Sequence, residues 1–412
     1  MSIGATFKLL REEHEISQRE MAKRIIVERN SLDRFEKTSK GLSLDKINKY
    51  KKELGIDQEV KKEEINYIEQ LLENIFDCLF YTNRKYNDLF LELQKKQSTL
   101  SLTEYYPLLY IFDYCITIQN NSINYKIKDK KIQTKLNEIS DIISLVENAI
   151  PLQWLSLYYD YVGERYRYEY KYNEAIINYD KSEIIAKDNR HIAMINYRRA
   201  IAYTQMNLNV KALDQLDKAS NIFQKYMNYE KCLNTEFLKA MIYDNLRDYD
   251  NAILIYKRCL KVTEQGNYSL SKEQIYNNII WALLMKGDFE KVIPLTKEAS
   301  KLKMNKKGVY LYEVIAYYAL NIEYKAKNSL IDCTNCNESF IEEGLSSIYK
   351  LMKYLLIKDE NNIENTILKL ESEKGISGID ILHLGYTIAI EYYKRNNNTE
   401  KVLCLISKAH QL

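Results

Sequence analysis

The sequence predicts an all-α protein, with a small N-terminal bundle of short helices followed by a long array of helical hairpins. Three observations predict it. The 412 residues hold only 11 Gly and 3 Pro, where average usage of roughly 7% Gly and 5% Pro would supply far more breakers. Apolar residues recur at helical rather than alternating spacing along nearly the whole chain. From about residue 156 onward, similar segments return every 37 to 40 residues, the mark of a stacked repeat. A β-sandwich, a doubly wound sheet or a β/α barrel would each need many more turn glycines.

Phe7, Leu9 and Leu10 mark the first helix. Ser17 opens the second as N-cap, with Glu20 three residues on in capping-box position. Met21, Ala22 and Ile25 share one face of it. A third helix runs from about Arg29 to Lys37, with Leu32 and Phe35 inward. A fourth carries Leu44, Ile47, Tyr50 and Leu54, between Ser43 as cap and Gly55 as stop.

The stretch SQREMAKRIIVERNSLDRFEK resembles the helix-turn-helix of Xre/Cro-type repressors. The matching residues are Ser17-Gln18, Met21-Ala22, Ile25, Val27, Leu32, Arg34-Phe35-Glu36, Leu44 and Leu54-Gly55. The resemblance covers residues 3–58. It departs at Ile26, where the family usually has Gly in the turn. In such a unit the second helix of the pair enters the major groove, its N-terminal residues against base edges. The resemblance therefore implies double-stranded DNA as a partner, with Arg29, Asn30, Ser31 and Arg34 on bases or backbone. It also implies that Gln18 caps its helix against a phosphate. Arg suits guanine and Asn suits adenine. With 13 Lys/Arg against 11 Asp/Glu in residues 1–60, one copy would bind weakly, so a homodimer on two half-sites is expected.

Residues 59–155 read as a helical connector and the start of the hairpin array. Leu72, Ile75, Phe76 and Leu79 form a stripe there, and Asn120-Asn121-Ser122 is expected to be a loop. Beyond residue 156 the tetratricopeptide pattern emerges: a large residue, a small one at the helix crossing, Tyr, then Ala, an aromatic and Ala. Tyr159, Val162, Gly163, Tyr166, Ala175, Tyr179 and Ser182 match it. So do Ala200, Tyr203, Ala212, Leu216 and Ala219; Ala240, Tyr243, Ala252, Tyr256 and Cys259; and Tyr276, Ile279, Leu283, Val292 and Ala299. The signal decays over 322–380 and returns at Tyr386, Ala389, Tyr393, Val402 and Ala409. The expected domains are thus a helix-turn-helix over 1–58, a connector over 59–155 and a right-handed α-solenoid of tetratricopeptide-like hairpins over 156–412.

Stacked hairpins make a concave groove lined by the first helix of each pair. Projecting the groove positions selects Arg167, Arg198, Asn234, Asn245, Asn277, Asn278, Trp281 and Tyr317 as candidate peptide-binding residues. An Asn amide can pair with both the N–H and the C=O of an extended backbone. Trp281 and Tyr317 would add apolar walls, while the two Arg could meet a carboxylate.

An Xre-type helix-turn-helix followed by such an array resembles the RNPP family of peptide-pheromone receptors (Rgg, Rap, NprR, PlcR, PrgX). That resemblance implies a cytoplasmic quorum-sensing transcription regulator. A short signalling peptide in the groove would alter the dimer and hence DNA binding. A second reading stays open: an interaction scaffold whose array binds a response-regulator or sporulation-type protein, with DNA contact secondary.

The remaining composition points the same way. The net charge of +3 is too small for polyanion binding by the whole chain. No stretch approaches 18 uncharged apolar residues, and the N-terminus lacks a signal-peptide core, so no membrane partner is expected. Seven Cys read as free thiols of a reducing compartment. Cys333-Thr334-Asn335-Cys336 offers two ligands where a structural zinc needs four. The four His are dispersed, and no phosphate-binding Gly motif is present. No catalytic residue, metal or cofactor is expected.

Overall fold

The computed structural model describes residues 3–56, 60–122, 126–266, 268–340, 343–372 and 378–411. Among these residues there are 23 α-helices and no strand. The chain separates into two compact units, Met1–Thr235 and Glu236–Leu412.

The first unit begins with α1 (Ile3–Glu13), α2 (Gln18–Arg24), α3 (Arg29–Thr38) and α4 (Leu44–Glu53). Ser17 Oγ accepts from Glu20 N at 3.2 Å, but the Glu20 carboxylate turns to Arg24 at 2.5 Å. The expected capping box therefore forms only in its first half. The turn into α3 places Ile26 at φ 56 with 72% of its surface exposed. A β-branched residue is strained in that left-handed region, where glycine is free. The rings of Phe7, Phe35 and Tyr50 meet at 5.1 to 6.2 Å. A Cβ on Gly4 would stand 2.0 Å from the Phe35 carbonyl oxygen, so α1 and α3 are in backbone contact there.

Next come α5 (Lys62–Phe80), α6 (Tyr86–Lys95), the single turn α7 (Gln97–Leu100), α8 (Tyr106–Ser122) and α9 (Lys130–Val146). The loop expected at residues 120–122 is instead the last turn of α8. There the Asn121 amide and Ser122 hydroxyl donate back to the carbonyls of Thr117 and Gln119, so these side chains satisfy the helix rather than end it. α1 is fastened to this region: Thr6 donates to the Thr103 carbonyl at 2.7 Å, and Tyr110 to Glu13 at 2.6 Å. One apolar core contains residues from Ala5 to Ile56 and from Ile68 to Tyr161.

Helical hairpins follow. α10 (Leu152–Tyr168), α11 (Tyr172–Ile185), α12 (Asn189–Gln205) and α13 (Asn209–Lys225) lie in the first unit, and α14 (Tyr229–Asn245) begins there. The second unit continues with α15 (Tyr249–Gln265), α16 (Lys272–Lys286), α17 (Phe289–Ala299), α18 (Lys306–Ala319) and α19 (Glu323–Asn335). It ends with α20 (Glu343–Ile357), α21 (Glu360–Ser372), α22 (Gly378–Arg395) and α23 (Thr399–Ala409). The repeat signature is core packing. Ala175, Ala212, Ala252 and Val292 have no exposed surface, and a Cβ on Gly163 would lie 2.7 Å from the Tyr179 ring.

Each hairpin turns on one residue of positive φ: Tyr170, Asn207, Arg247, Gly287, Asn321, Lys358 and Asn397. Six of the seven are not glycine, which is how so many turns coexist with so few glycines. The pairing continues in α20 with α21 and α22 with α23, although the sequence signature fades over 322–380. There the close approach is made by other residues, such as Gly385, whose added Cβ would meet Leu370 at 2.8 Å. No helix among the described residues is long and apolar enough to cross a membrane.

Candidate functional site

The α2–α3 pair exposes one polar face. Arg29, Asn30 and Arg34 are exposed and Ser31 is half-buried. Gln18 donates to Asp33 at 3.3 Å and to Glu36 at 3.1 Å, and its carbonyl accepts from Arg29 Nε at 3.1 Å. The structure thus brings Gln18 and Arg29 together, with the Gln18 amide bracing α2 against α3. Behind this face Arg11 forms two bonds to Glu36, at 2.7 and 3.1 Å, and Tyr50 donates to Glu36 at 2.8 Å. Burial, then the Glu36 carboxylate, push the Tyr50 hydroxyl well above its usual range. This buried triad fixes α3 against α1 and α4.

In the first unit, α10 and α12 enclose an ionic cluster. Arg198 donates to Asp160 and lies 4.2 Å over the Tyr161 ring. Arg167 makes two bonds to Glu164, at 2.9 and 2.7 Å, and Tyr179 donates a third at 2.8 Å. Burial pushes the Glu164 carboxyl up, but the guanidinium of Arg167 outweighs it and holds the group at about 2. Arg167 and Arg198 were expected to meet a ligand carboxylate. Instead they are 7% and 5% exposed and already neutralised, because a guanidinium buried this deeply requires an internal anion.

Sequence reasoning missed two features here. Lys231, at the start of α14, holds its ammonium 4.8 Å over the Tyr197 ring. Burial and then the like charge of Arg198 push it down to about 8. Asn234, one turn further along, is half-buried. The other feature is that His191 lies 3.2 Å from both the Ser156 hydroxyl and the Asp160 carboxylate. This triad-like contact is sealed: Ser156 and Asp160 have no exposed surface and His191 has 3%. Ser156 also donates to the Ser182 carbonyl at 2.8 Å. Ser156 and Asp160 are thus packing groups with no exposed surface, while His191 also borders a cleft on its other side.

The second unit contains a cavity of about 450 Å³ lined from α14, α16, α18 and α20 by Phe237, Met241, Asn277, Asn278, Tyr312 and Leu345 among others. Two candidate residues, Asn277 and Asn278, meet in it. Trp281 and Tyr317 are half-buried and Asn245 is exposed; none of the three lines this cavity. Tyr317 instead carries the Lys325 ammonium 5.4 Å over its ring. A cleft of about 510 Å³ in the first unit lies between α5 and the N-terminal ends of α10 and α12. Its Arg190 is engaged by Asp77 and Asp188. Cys333 is buried, donates to the Lys307 carbonyl, and has its thiol pushed up to about 12 by burial. That environment disfavours the reactive thiolate.

No family model matches the sequence, and no curated protein matches it. Solved structures do match. The apo form of RapI aligns with TM-score 0.64 at 14% identity, over 84% of this chain and 98% of that one. The apo form of the quorum sensor NprR from B. thuringiensis aligns with TM-score 0.60 at 13% identity, over 84% and 98%. NprR in complex with its cognate peptide NprX aligns with TM-score 0.51 at 14% identity, over 85% and 100%. At these identities the likeness is one of fold: this chain has the all-α, tetratricopeptide-like hairpin fold of the NprR and RapI structures.

Proposed function

We propose that this protein is a cytoplasmic, peptide-responsive transcription regulator and not an enzyme. Residues 1–58 act as the DNA-binding domain of a homodimer, 59–155 as the connector and 156–412 as the peptide-binding array. The observation that carries the reading is the solvent-facing pair α2–α3, with Arg29, Asn30 and Arg34 exposed, on a chain whose fold is that of a quorum sensor solved with its cognate peptide. Arg29 and Arg34 read guanines or grip phosphates, Asn30 reads adenine, and Ser31 and Gln18 steady the contact.

The signalling peptide lies along the inner helices, where Asn277 and Asn278 pair with its backbone. Asn245, Trp281 and Tyr317 stand on helices of the same unit. A physical link runs from α14 toward the connector. Asn228, just before α14, donates to the Phe80 carbonyl at 2.8 Å, and Tyr81 donates to the Tyr226 carbonyl at 3.2 Å. Within the first unit, a shift at the start of α14 therefore pulls on the end of α5, whose core is continuous with α1.

The test is selection of duplexes from a randomised DNA pool by the full-length protein, repeated with Arg29→Ala. A motif of two half-sites recovered by the wild type and lost by the variant supports the reading. Recovery of no duplex above background overturns the DNA part and leaves the interaction-scaffold reading.

A further inference from the structure

The half-used amides of Asn277 and Asn278 are the starting observation. The Tyr312 hydroxyl donates to Asn277 Oδ1 at 3.0 Å, and Asn278 Nδ2 donates to the Tyr256 hydroxyl at 3.2 Å. Each tyrosine thereby fixes which way its asparagine points. What remains is the Asn277 Nδ2 donor and the Asn278 Oδ1 acceptor, neither bonded within the described residues and both on side chains that line the 450 Å³ cavity. One free donor beside one free acceptor matches the C=O and N–H of an extended peptide.

The cavity beside them is apolar where it is deepest. Val309, Tyr312 and Leu345 are 2%, 4% and 5% exposed, whereas Lys303 is exposed and Glu273 half-buried. Met241, 37% exposed, stands among the lining residues, and Met304 is another. Two thioethers give the walls an adaptable shape. A volume of this size holds a large side chain with the backbone that carries it. Burying a charged side chain against this floor would be strongly disfavoured, because none of its deepest residues carries an opposite charge.

We propose that this cavity is a specificity socket: it takes one large uncharged apolar side chain, of the Leu, Met or Phe kind, from an extended peptide whose backbone is held by Asn277 and Asn278. Tyr312 and Tyr256 are positioning residues that preset those two amides. The inference rests on the peptide-receptor reading above and adds the ligand class and the residues that choose it.

The probe is a randomised short-peptide library, incubated with the full-length protein and sequenced by mass spectrometry after retention. The wild type is expected to enrich a large apolar residue at one position. Met241→Trp, which fills the mouth from a partly exposed site, should abolish that preference. Val309→Ala, which deepens the floor, should shift it from Leu toward Phe. Tyr312→Phe keeps the ring and removes only the hydroxyl. It should weaken all retained peptides by roughly 3- to 10-fold while the apolar preference persists, a uniform loss that mere loosening of the socket would not give. Peptides retained without apolar preference, or a preference unchanged in both Met241→Trp and Val309→Ala, would overturn the socket and leave the peptide reading standing. No retained peptide at all would overturn both.

Discussion

Replacing Asp160 with Asn tests whether Arg198 is a structural residue or a ligand-binding one. The side chain of Asp160 has no exposed surface and that of Arg198 has 6%. Among the described residues the guanidinium has Asp160 as its one bonded carboxylate, with the Tyr161 ring 4.2 Å away. Removing one member of a buried pair typically costs about 3–5 kcal/mol, because the other charge is left uncompensated. Asn keeps the shape and one acceptor, so the loss should fall at or just below the lower bound, about 2–3 kcal/mol. A urea slope of roughly 3 kcal/mol per molar suits a unit of this size, and the unfolding midpoint should then drop by about 1 M. Trp154 lies in the first unit and Trp281 in the second. In a Trp281→Phe background, fluorescence follows the first unit alone. The double variant Asp160→Leu/Arg198→Met should recover most of the loss, since an apolar pair of similar volume replaces a buried ion pair at little net cost. An unchanged midpoint in Asp160→Asn would refute the reasoning and return Arg198 to the pool of ligand contacts.

Three further outcomes follow from the same geometry. Arg29→Ala should lose roughly 1–3 kcal/mol of discrimination between specific and altered duplexes, read by fluorescence anisotropy at fixed salt. Ile26→Asn should raise the urea midpoint of the first unit by the equivalent of about 0.5–1 kcal/mol, because Asn tolerates positive φ and the replaced side chain is 72% exposed. Burial, then Asp380, push the Asp244 carboxyl from 3.8 up to about 7. A folded value above the unfolded one means that its stability contribution is complete below pH 4 and is lost as pH rises through 7. The second unit should weaken by roughly 2–3 kcal/mol between pH 5 and 8, and Asp244→Asn should flatten that slope in pH-resolved melting.

The elements that obey local rules were legible in the sequence. Ser17, Gly55 and the run from Met21 to Phe35 announce short helices, and Ala175, Ala212 and Ala252 announce close helix crossings. These signals survive because each is enforced by contacts within a few turns of helix. Legibility fails where partners are remote. Arg198 has the same sequence character as a groove cation, and only the fold reveals Asp160 across the α10–α12 contact. The same holds for His191 with Ser156 and Asp160, separated by 35 and 31 positions. Asn277 and Asn278 were selected by helical projection alone. The tyrosines that orient them come from 35 and 22 residues away; the repeat spacing marks Tyr256 as a packing position, and only the fold reveals that it holds Asn278. Hairpins over 322–380 were hard to read because their close approaches are made outside the signature positions: a Cβ on Gly344 would meet Ile381 at 3.0 Å and one on Gly385 would meet Leu370 at 2.8 Å.

The central claim is that peptide and DNA are coupled ligands of one chain. The most direct measurement is the affinity of the full-length protein for its selected duplex, titrated with and without a saturating retained peptide, and the reciprocal titration of that peptide with and without duplex. The account predicts that the peptide changes the duplex affinity and that the duplex changes the peptide affinity by the same factor, a coupling typically about 1–3 kcal/mol. Two affinities that are each indifferent to the other ligand would contradict it.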